Sequence, residues 1–288
     1  MKLTFLGLGV MGYPMAGHLA AKSGHEVAVY NRTAARADEW VRRFGGSRAA
    51  TPEIAARDAA MVFCCVGDDP DVREVTLGPQ GAFRAMPRGA IFVDHTTDSA
   101  RLAHELSRHA SESGFHFLDA PVSGGQAGAE SGTLTVMVGG EQASFERAKA
   151  LMDHYAKAVT LMGPAGSGQL TKMVNQIMIA GLLEGLAEGL AFAQRAGLDA
   201  NKAIEVISKG AAQSWQLDNR GRTMVEDRFD FGFAVDWMRK DLRICLDEAH
   251  RNGADLPVAE SVSRFYDELS SMGGGRWDTS SLIRRLRR

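Results

Sequence analysis

The chain has little cysteine. Three occur in 288 residues: Cys64 and Cys65 sit together in an apolar run, and Cys245 lies far away. An odd count without framework spacing excludes a disulfide scaffold and implies reduced thiols in a cytoplasmic setting. Charge of one sign is also missing. Lys+Arg 33 against Asp+Glu 35 leaves a net charge of −2, with no internal basic block. That balance argues against nucleic acid as the partner. The terminal Arg-Arg-Leu-Arg-Arg reads as a solvated tail. No apolar run is clean enough for a membrane span. The nearest, 177–193, carries Glu184 and Glu188, whose carboxylates are costly in hydrocarbon, so it reads as a core helix. Glycines 7, 9 and 12 spoil the one N-terminal stretch that could pass for a signal sequence. Metal-ligand patterns such as HExxH or CxxC are absent, so no metal is expected. Fixed-period repeats and low-complexity segments are absent too. What remains is an ordinary globular composition, 45% hydrophobic and 24% charged.

The pattern of that hydrophobicity changes once along the chain. Short β-like runs at 3–6, 26–30, 61–66, 90–94, 116–118, 134–138 and 159–162 alternate with helical stretches at 11–23, 34–44, 100–113 and 141–154. Several runs are apolar throughout, as parallel strands covered on both faces would be. Alternation of this kind predicts an α/β fold with a doubly wound sheet. Beyond Gly163-Pro164 only helical segments follow, near 169–196, 201–209, 214–226, 234–252 and 258–272. Two domains are therefore expected, 1–163 with the sheet and 164–288 all-helical. Gly181, Gly185 and Gly189 leave a smooth groove on the longest helix, suited to close approach by another helix.

The strongest local signal is Gly7-Leu8-Gly9-Val10-Met11-Gly12, a GxGxxG between a predicted strand and a predicted helix. Gly7 permits the tight turn, Gly9 lets the backbone approach a pyrophosphate, and Gly12 lets helix and strand pack. The helix N-terminus offers N–H groups and positive potential to the phosphates. The end of the second strand selects the dinucleotide. It reads Asn31-Arg32-Thr33, without the carboxylate that an NAD site commonly places on the ribose. Arg32 would pair with a 2′-phosphate and stack on adenine, so NADP(H) is predicted over NAD(H), which stays possible. Two further strand ends, with Cys65-Val66 and with Thr96, are expected at the same crevice. His95 is a tempting acid/base but reads as structural, and Cys64-Cys65 as strand packing.

Two clusters carry candidate chemistry. Ser123-Gly124-Gly125 offers one hydroxyl and successive unshielded N–H groups, a nest suited to a carboxylate, or an ordinary turn. Lys172 lies three and four residues before Asn175 and Gln176, which puts the three on one helix face. Leu170, Met173, Val174 and Ile177 suggest that this helix is largely buried, which would lower the lysine's pKa. A lysine snorkelling at a domain edge is the plainer alternative.

These blocks, in order, resemble the β-hydroxyacid dehydrogenases, the group that includes 3-hydroxyisobutyrate dehydrogenase and tartronate semialdehyde reductase. The matching stretches are FLGLGVMGYPMAGHL at 5–19, DAPVSGG at 119–125, GSGQLTKMVNQ at 166–176, and Lys240-Asp241-Leu242. The resemblance implies a Rossmann-type domain, an all-α substrate and dimerisation domain, and an active site in the cleft between them. It implies Lys172 as general acid/base, Asn175 beside it, and Ser123, Gly124 and Gly125 on the substrate carboxylate. It places Lys240 near nicotinamide and substrate, Asp241 on the cofactor side, Thr96 at the nicotinamide, and Trp215 in the substrate pocket, unless that tryptophan is core. The implied reaction is NADP(H)-linked hydride transfer to or from a small β-hydroxy acid or semialdehyde carboxylate, by a homodimer or homotetramer. Imine reductases share the fold but generally lack the lysine. A 6-phosphogluconate dehydrogenase needs a much longer helical domain. A non-catalytic dinucleotide-binding protein is the remaining alternative.

Overall fold

The computed structural model describes residues 1–287. The chain divides into two compact units, Met1–Lys172 and the remainder from Met173. This division falls inside a helix whose first turn is bonded to the sheet unit through Asp119.

The strands of the first unit are β1 (Lys2–Leu6), β2 (Glu26–Tyr30), β3 (Ser47–Arg48), β4 (Met61–Cys64), β5 (Ile91–Asp94), β6 (His116–Asp119), β7 (Val122–Ser123), β8 (Leu134–Gly139) and β9 (Ala156–Gly163). Between them run α1 (Gly12–Lys22), α2 (Ala34–Phe44), α3 (Pro52–Ala56), α4 (Asp69–Leu77), α5 (Ala100–Ser113), α6 (Gly125–Ser131) and α7 (Gln142–Met152). The sheet order is β3-β2-β1-β4-β5-β6-β8-β7, with β9 beside β8. Pairs from β3 across to β6 are parallel. β8 runs antiparallel to β6 and β7. The sheet is thus mixed, where apolar runs alone suggested parallel strands throughout. The physical cause is the short α6 connection, below the roughly one dozen residues that a parallel crossover needs.

Alternate side chains build two cores, one on each sheet face. β1 sends Leu3 and Phe5 to one face, and β4 and β5 add Met61, Phe63, Ile91 and Val93. Leu6, Val62, Cys64 and Phe92 fill the other. Helices close both faces at helical spacing; α1 buries Met15, Ala16 and Leu19. The short elements β3, α3, α4, β7 and α6 had no counterpart in the sequence reading. α4 begins with Asp68 accepting from the Asp69 N–H and has Pro70 in its first turn, both recognised start signals. Its acidic opening and its few buried residues, Val72 and Thr76, left no apolar period to find.

The second unit contains the rest of α8 (Ser167–Arg195), then α9 (Ala200–Ile207), α10 (Trp215–Val225), α11 (Val235–Asn252), α12 (Pro257–Leu269) and α13 (Ile283–Leu286). Among the described residues it has no strand. By length and composition α8 could cross a membrane. Here Ala180, Leu183, Ala187 and Leu190 pack it into the core of the helical unit. The arginine tail is not solvated. Arg285 pairs with Glu184 at 3.2 Å and lies 3.5 Å over the Phe265 ring; Arg284 and Arg287 both pair with Asp227. Carboxylates that the fold brings to the C-terminus hold it down; Arg288 lies outside the described residues.

Candidate active site

The glycine turn is closed on the protein side and open on the other. Gly7 has φ +92°, and a Cβ there would lie 2.2 Å from the Cys65 carbonyl oxygen. A Cβ on Gly12 would lie 2.0 Å from the Gly7 oxygen. Gly9 meets nothing within 4 Å, and Val10 beside it is exposed. Met11 stands at the start of α1 with no side-chain cap over the helix N-terminus. This arrangement fits a pyrophosphate lying against α1.

The end of β2 supports that turn. Leu8 donates its N–H to Asn31 Oδ1 at 2.9 Å, and Asn31 Nδ2 donates to the Thr33 oxygen at 3.0 Å. Leu8, expected at the cofactor, is buried, and its N–H is engaged by this bond. Thr33 precedes α2 with an exposed side chain. Arg32 is 88% exposed, and its Nη1 is 3.3 Å from Asp71 Oδ1. Although β2 itself ends without a carboxylate, α4 brings one alongside. Arg36, one helical turn on and not singled out in the sequence, donates from Nε to the Leu8 oxygen and lies 5.3 Å over the Tyr13 ring.

The ends of β4, β5 and β6 form one buried polar network. Val66 donates its N–H to Thr96 Oγ1 at 3.0 Å. Cys65, partly buried beside Val66, adds its carbonyl to the wall of the glycine turn. Thr96, the hydroxyl expected at the nicotinamide, is itself buried and through this bond joins two turns. His95 is buried too. Its Nδ1 is 2.6 Å from the Ala120 oxygen, its Nε2 is 2.8 Å from the Tyr155 hydroxyl, and its ring stacks on Phe63. Burial lowers its pKa to about 4, so the ring is neutral near pH 7 and serves as a structural bridge. Asp119 accepts the N–H groups of Gly166 at 2.7 Å and Gln169 at 2.9 Å, clamping the start of α8 to β6. Burial pushes its carboxyl up, and those N–H groups pull it back. Gln169 then donates from Nε2 to the Thr96 oxygen at 2.7 Å. Sequence reading passed over Asp94, Asp98, Asp119 and Gln169 as functional supports. The available signal was an aspartate at the end of an apolar strand, where an ionisable group must be buried.

Ser123 ends β7, opposite Thr135 of β8. Gly124 at φ +131° and Gly125 at φ +59° lead directly into α6, so the glycines are required by the backbone and lie exposed. The expected turn is therefore a strand end running into a helix N-terminus. Lys172 follows Gln169 by one turn of α8 and is 7% exposed. Its burial agrees with the sequence reading, with Met173 and Gln169 as buried neighbours, although Leu170 and Val174 of the same stretch are exposed.

In the second unit Asn175 donates from Nδ2 to Gln176 Oε1 at 2.7 Å, and Gln176 Nε2 donates to Asp241 Oδ2 at 2.6 Å. Lys240 pairs with Asp241 Oδ1 at 2.8 Å. Asp241, expected on the cofactor side, is buried and orients Gln176 and Lys240. Trp215 is 51% exposed, which removes the core reading; the Arg220 guanidinium lies 5.0 Å over its ring.

Residues 2–163 match the family model for the NAD binding domain of 6-phosphogluconate dehydrogenase. Residues 166–286 match the model for the NAD-binding region of NADP-dependent 3-hydroxyisobutyrate dehydrogenase. The chain belongs to the β-hydroxyacid dehydrogenase family. An oxidoreductase of Shewanella frigidimarina is 60% identical, over 99% of this chain and 98% of its own. The 2-hydroxy-3-oxopropionate reductase of Escherichia coli is 36% identical, over 99% and 97%. A Mycobacterium tuberculosis 3-hydroxyisobutyrate dehydrogenase structure with L-serine is 29% identical, covers 100% of this chain and 99% of its own, and superposes with a TM-score of 0.90. The chain is accordingly an NAD(P)-dependent dehydrogenase acting on CH–OH donors.

Proposed function

We propose that this dehydrogenase reduces a small semialdehyde carboxylate with NADPH, and oxidises the corresponding β-hydroxy acid in reverse, with Lys172 as general acid/base. The carrying observation is a lysine 7% exposed, set one turn into α8 beside Gln169, whose backbone is clamped by Asp119. When bound, the nicotinamide supplies the hydride in reduction and accepts it in oxidation. Lys172 donates a proton to the carbonyl oxygen as that oxygen gains charge, and removes it in the reverse direction. Ser123 and the N–H groups of Gly124 and Gly125 bind the substrate carboxylate. Asn175 and Lys240 hold the reacting end, Asp241 orients Lys240, and Trp215 bounds the side-chain pocket. Similarity to a 2-hydroxy-3-oxopropionate reductase supports a hydroxylated C3 semialdehyde among the substrates.

The NADPH reading is supported by a β2 end without a carboxylate and by Arg32 and Arg36 just beyond it, which would pair with a 2′-phosphate. A second copy of the chain is the proposed partner for the outer face of α8. There Met178, Leu182 and Phe192 are exposed, and Gly185 and Gly189 meet nothing within 4 Å. Light scattering should give a dimer or tetramer, and Met178→Glu with Leu182→Glu a monomer. The activity test is a panel of C2–C4 semialdehydes and β-hydroxy acids assayed with both cofactors. Turnover confined to imines, or a clear preference for NADH, would refute the corresponding part.

A further inference from the structure

Asp98, just beyond β5, is 1% exposed, and neither carboxylate oxygen has a hydrogen-bond partner; Asp94 Oδ2 is orphaned likewise. Two ionised carboxylates within hydrogen-bond reach of each other, with three of their four oxygens lacking donors, carry a large desolvation cost. One proton between them removes the mismatch, since a protonated carboxyl is a donor. Asp94 Oδ1 already accepts the Thr96 N–H at 2.9 Å, so Asp94 is the member that gives up its proton first, although burial lifts its own carboxyl to about 6. We propose that Asp98 is a proton-carrying positioning residue: its O–H donates to Asp94, and the pair fixes the turn through which Thr96 holds Val66.

The connections run through one unit. From Asp98 the chain of bonds passes to Asp94, to Thr96, and through Thr96 Oγ1 to the Val66 N–H. Asp98 also donates its N–H to Gln169 Oε1 at 3.2 Å, and Gln169 returns a bond to the Thr96 oxygen, so the same lock reaches the turn of α8 before Lys172. Desolvation and the facing Asp94 both push Asp98 well above the ordinary carboxylate range. The other titratable groups facing the pair are Cys64 on β4, Asp119 on β6, and Asp69 and Arg73 on α4; α8 contributes the neutral Gln169. Arg73 is itself engaged by Glu105 of α5.

A raised carboxyl keeps a proton that the unfolded chain has released above about pH 4. Stability that depends on this proton is therefore present at low pH and lost as pH rises toward the folded value. Asp98→Asn supplies a permanent donor to Asp94, and Asp98→Ala supplies none. His95 works in the opposite direction, losing stability as pH falls from its ordinary value toward about 4, but it is common to all three proteins and cancels in differences. Thermal unfolding from about pH 5 to about pH 8.5 should show the Asp98→Asn midpoint rising relative to wild type by at least ~3 °C. NADPH affinity at neutral pH should fall about tenfold in Asp98→Ala, with Asp98→Asn recovering most of it. A midpoint difference flat with pH, or Asp98→Asn binding as weakly as Asp98→Ala, overturns the assignment. Should Asp98→Ala not fold, the Asp98→Asn pH slope decides alone. Only the binding arm rests on the NADPH reading. Wild-type protein that ignores NADPH would defeat that reading, while the unfolding slope still judges the proton pair.

Discussion

The sheet unit buries Asp94, Asp98 and Asp119 at or just beyond strand ends; backbone N–H groups of Thr96, Gly166 and Gln169 serve Asp94 and Asp119, and neither oxygen of Asp98 has a donor. The helical unit buries Asp241, Glu184 and Asp278 against Lys240, Arg285 and Arg220. A cation offsets part of the cost of burying a carboxylate, although burial still pushes the Glu184 carboxyl up beside Arg285. Backbone dipoles only partly offset burial, and neighbouring acids then keep protons. The helical unit thus props its buried acids with basic side chains, whereas the sheet unit leaves its strand ends to backbone donors and neighbouring acids.

Buried cations should divide the same way. Lys172→Ala is expected to lower turnover by at least ~10² while NADPH titration and the unfolding midpoint change little. A lost fold with intact per-molecule turnover would make Lys172 a strut like Arg285. Asp119→Ala orphans two buried N–H groups and should cost about 2–3 kcal/mol in urea unfolding. A neutral result would mean that the start of α8 does not depend on β6. Arg285→Met should cost about 1–3 kcal/mol, with much of that returned by Glu184→Met in the double variant, since an uncompensated buried charge is worse than none. Additive losses would count against the strut reading. At the cofactor edge, Arg32→Ala should weaken NADPH about five- to tenfold and leave NADH nearly unchanged. Asp71→Asn, which frees Arg32 from an exposed pair, should strengthen NADPH by at most about threefold, less at high salt.

Sequence and structure agree best where local physics dominates. β2, α2 and α5 begin and end where expected, because apolar runs of period two or period 3.6 with clear punctuation leave few alternatives. The glycine turn was legible for the same reason. Short elements without an apolar period were not, and neither was the reversal of β8, which depends on connection length. The arginine tail was misread because its acidic partners lie far away in sequence. Asp71 beside Arg32, and Thr96 turned to Val66 rather than outward, were hidden for that reason too.

From the order of its residues alone, this protein's nucleotide-binding type of sheet, its switch to helices after Gly163 and its family were determined, since each is written in nearby residues with one favourable local geometry. Which acids are buried, which of them meet cations, and which are left to share a proton was decided only when β4, β5, β6 and the start of α8 were brought together. Desolvation and hydrogen-bond partners depend on neighbours in space, and no local pattern records them.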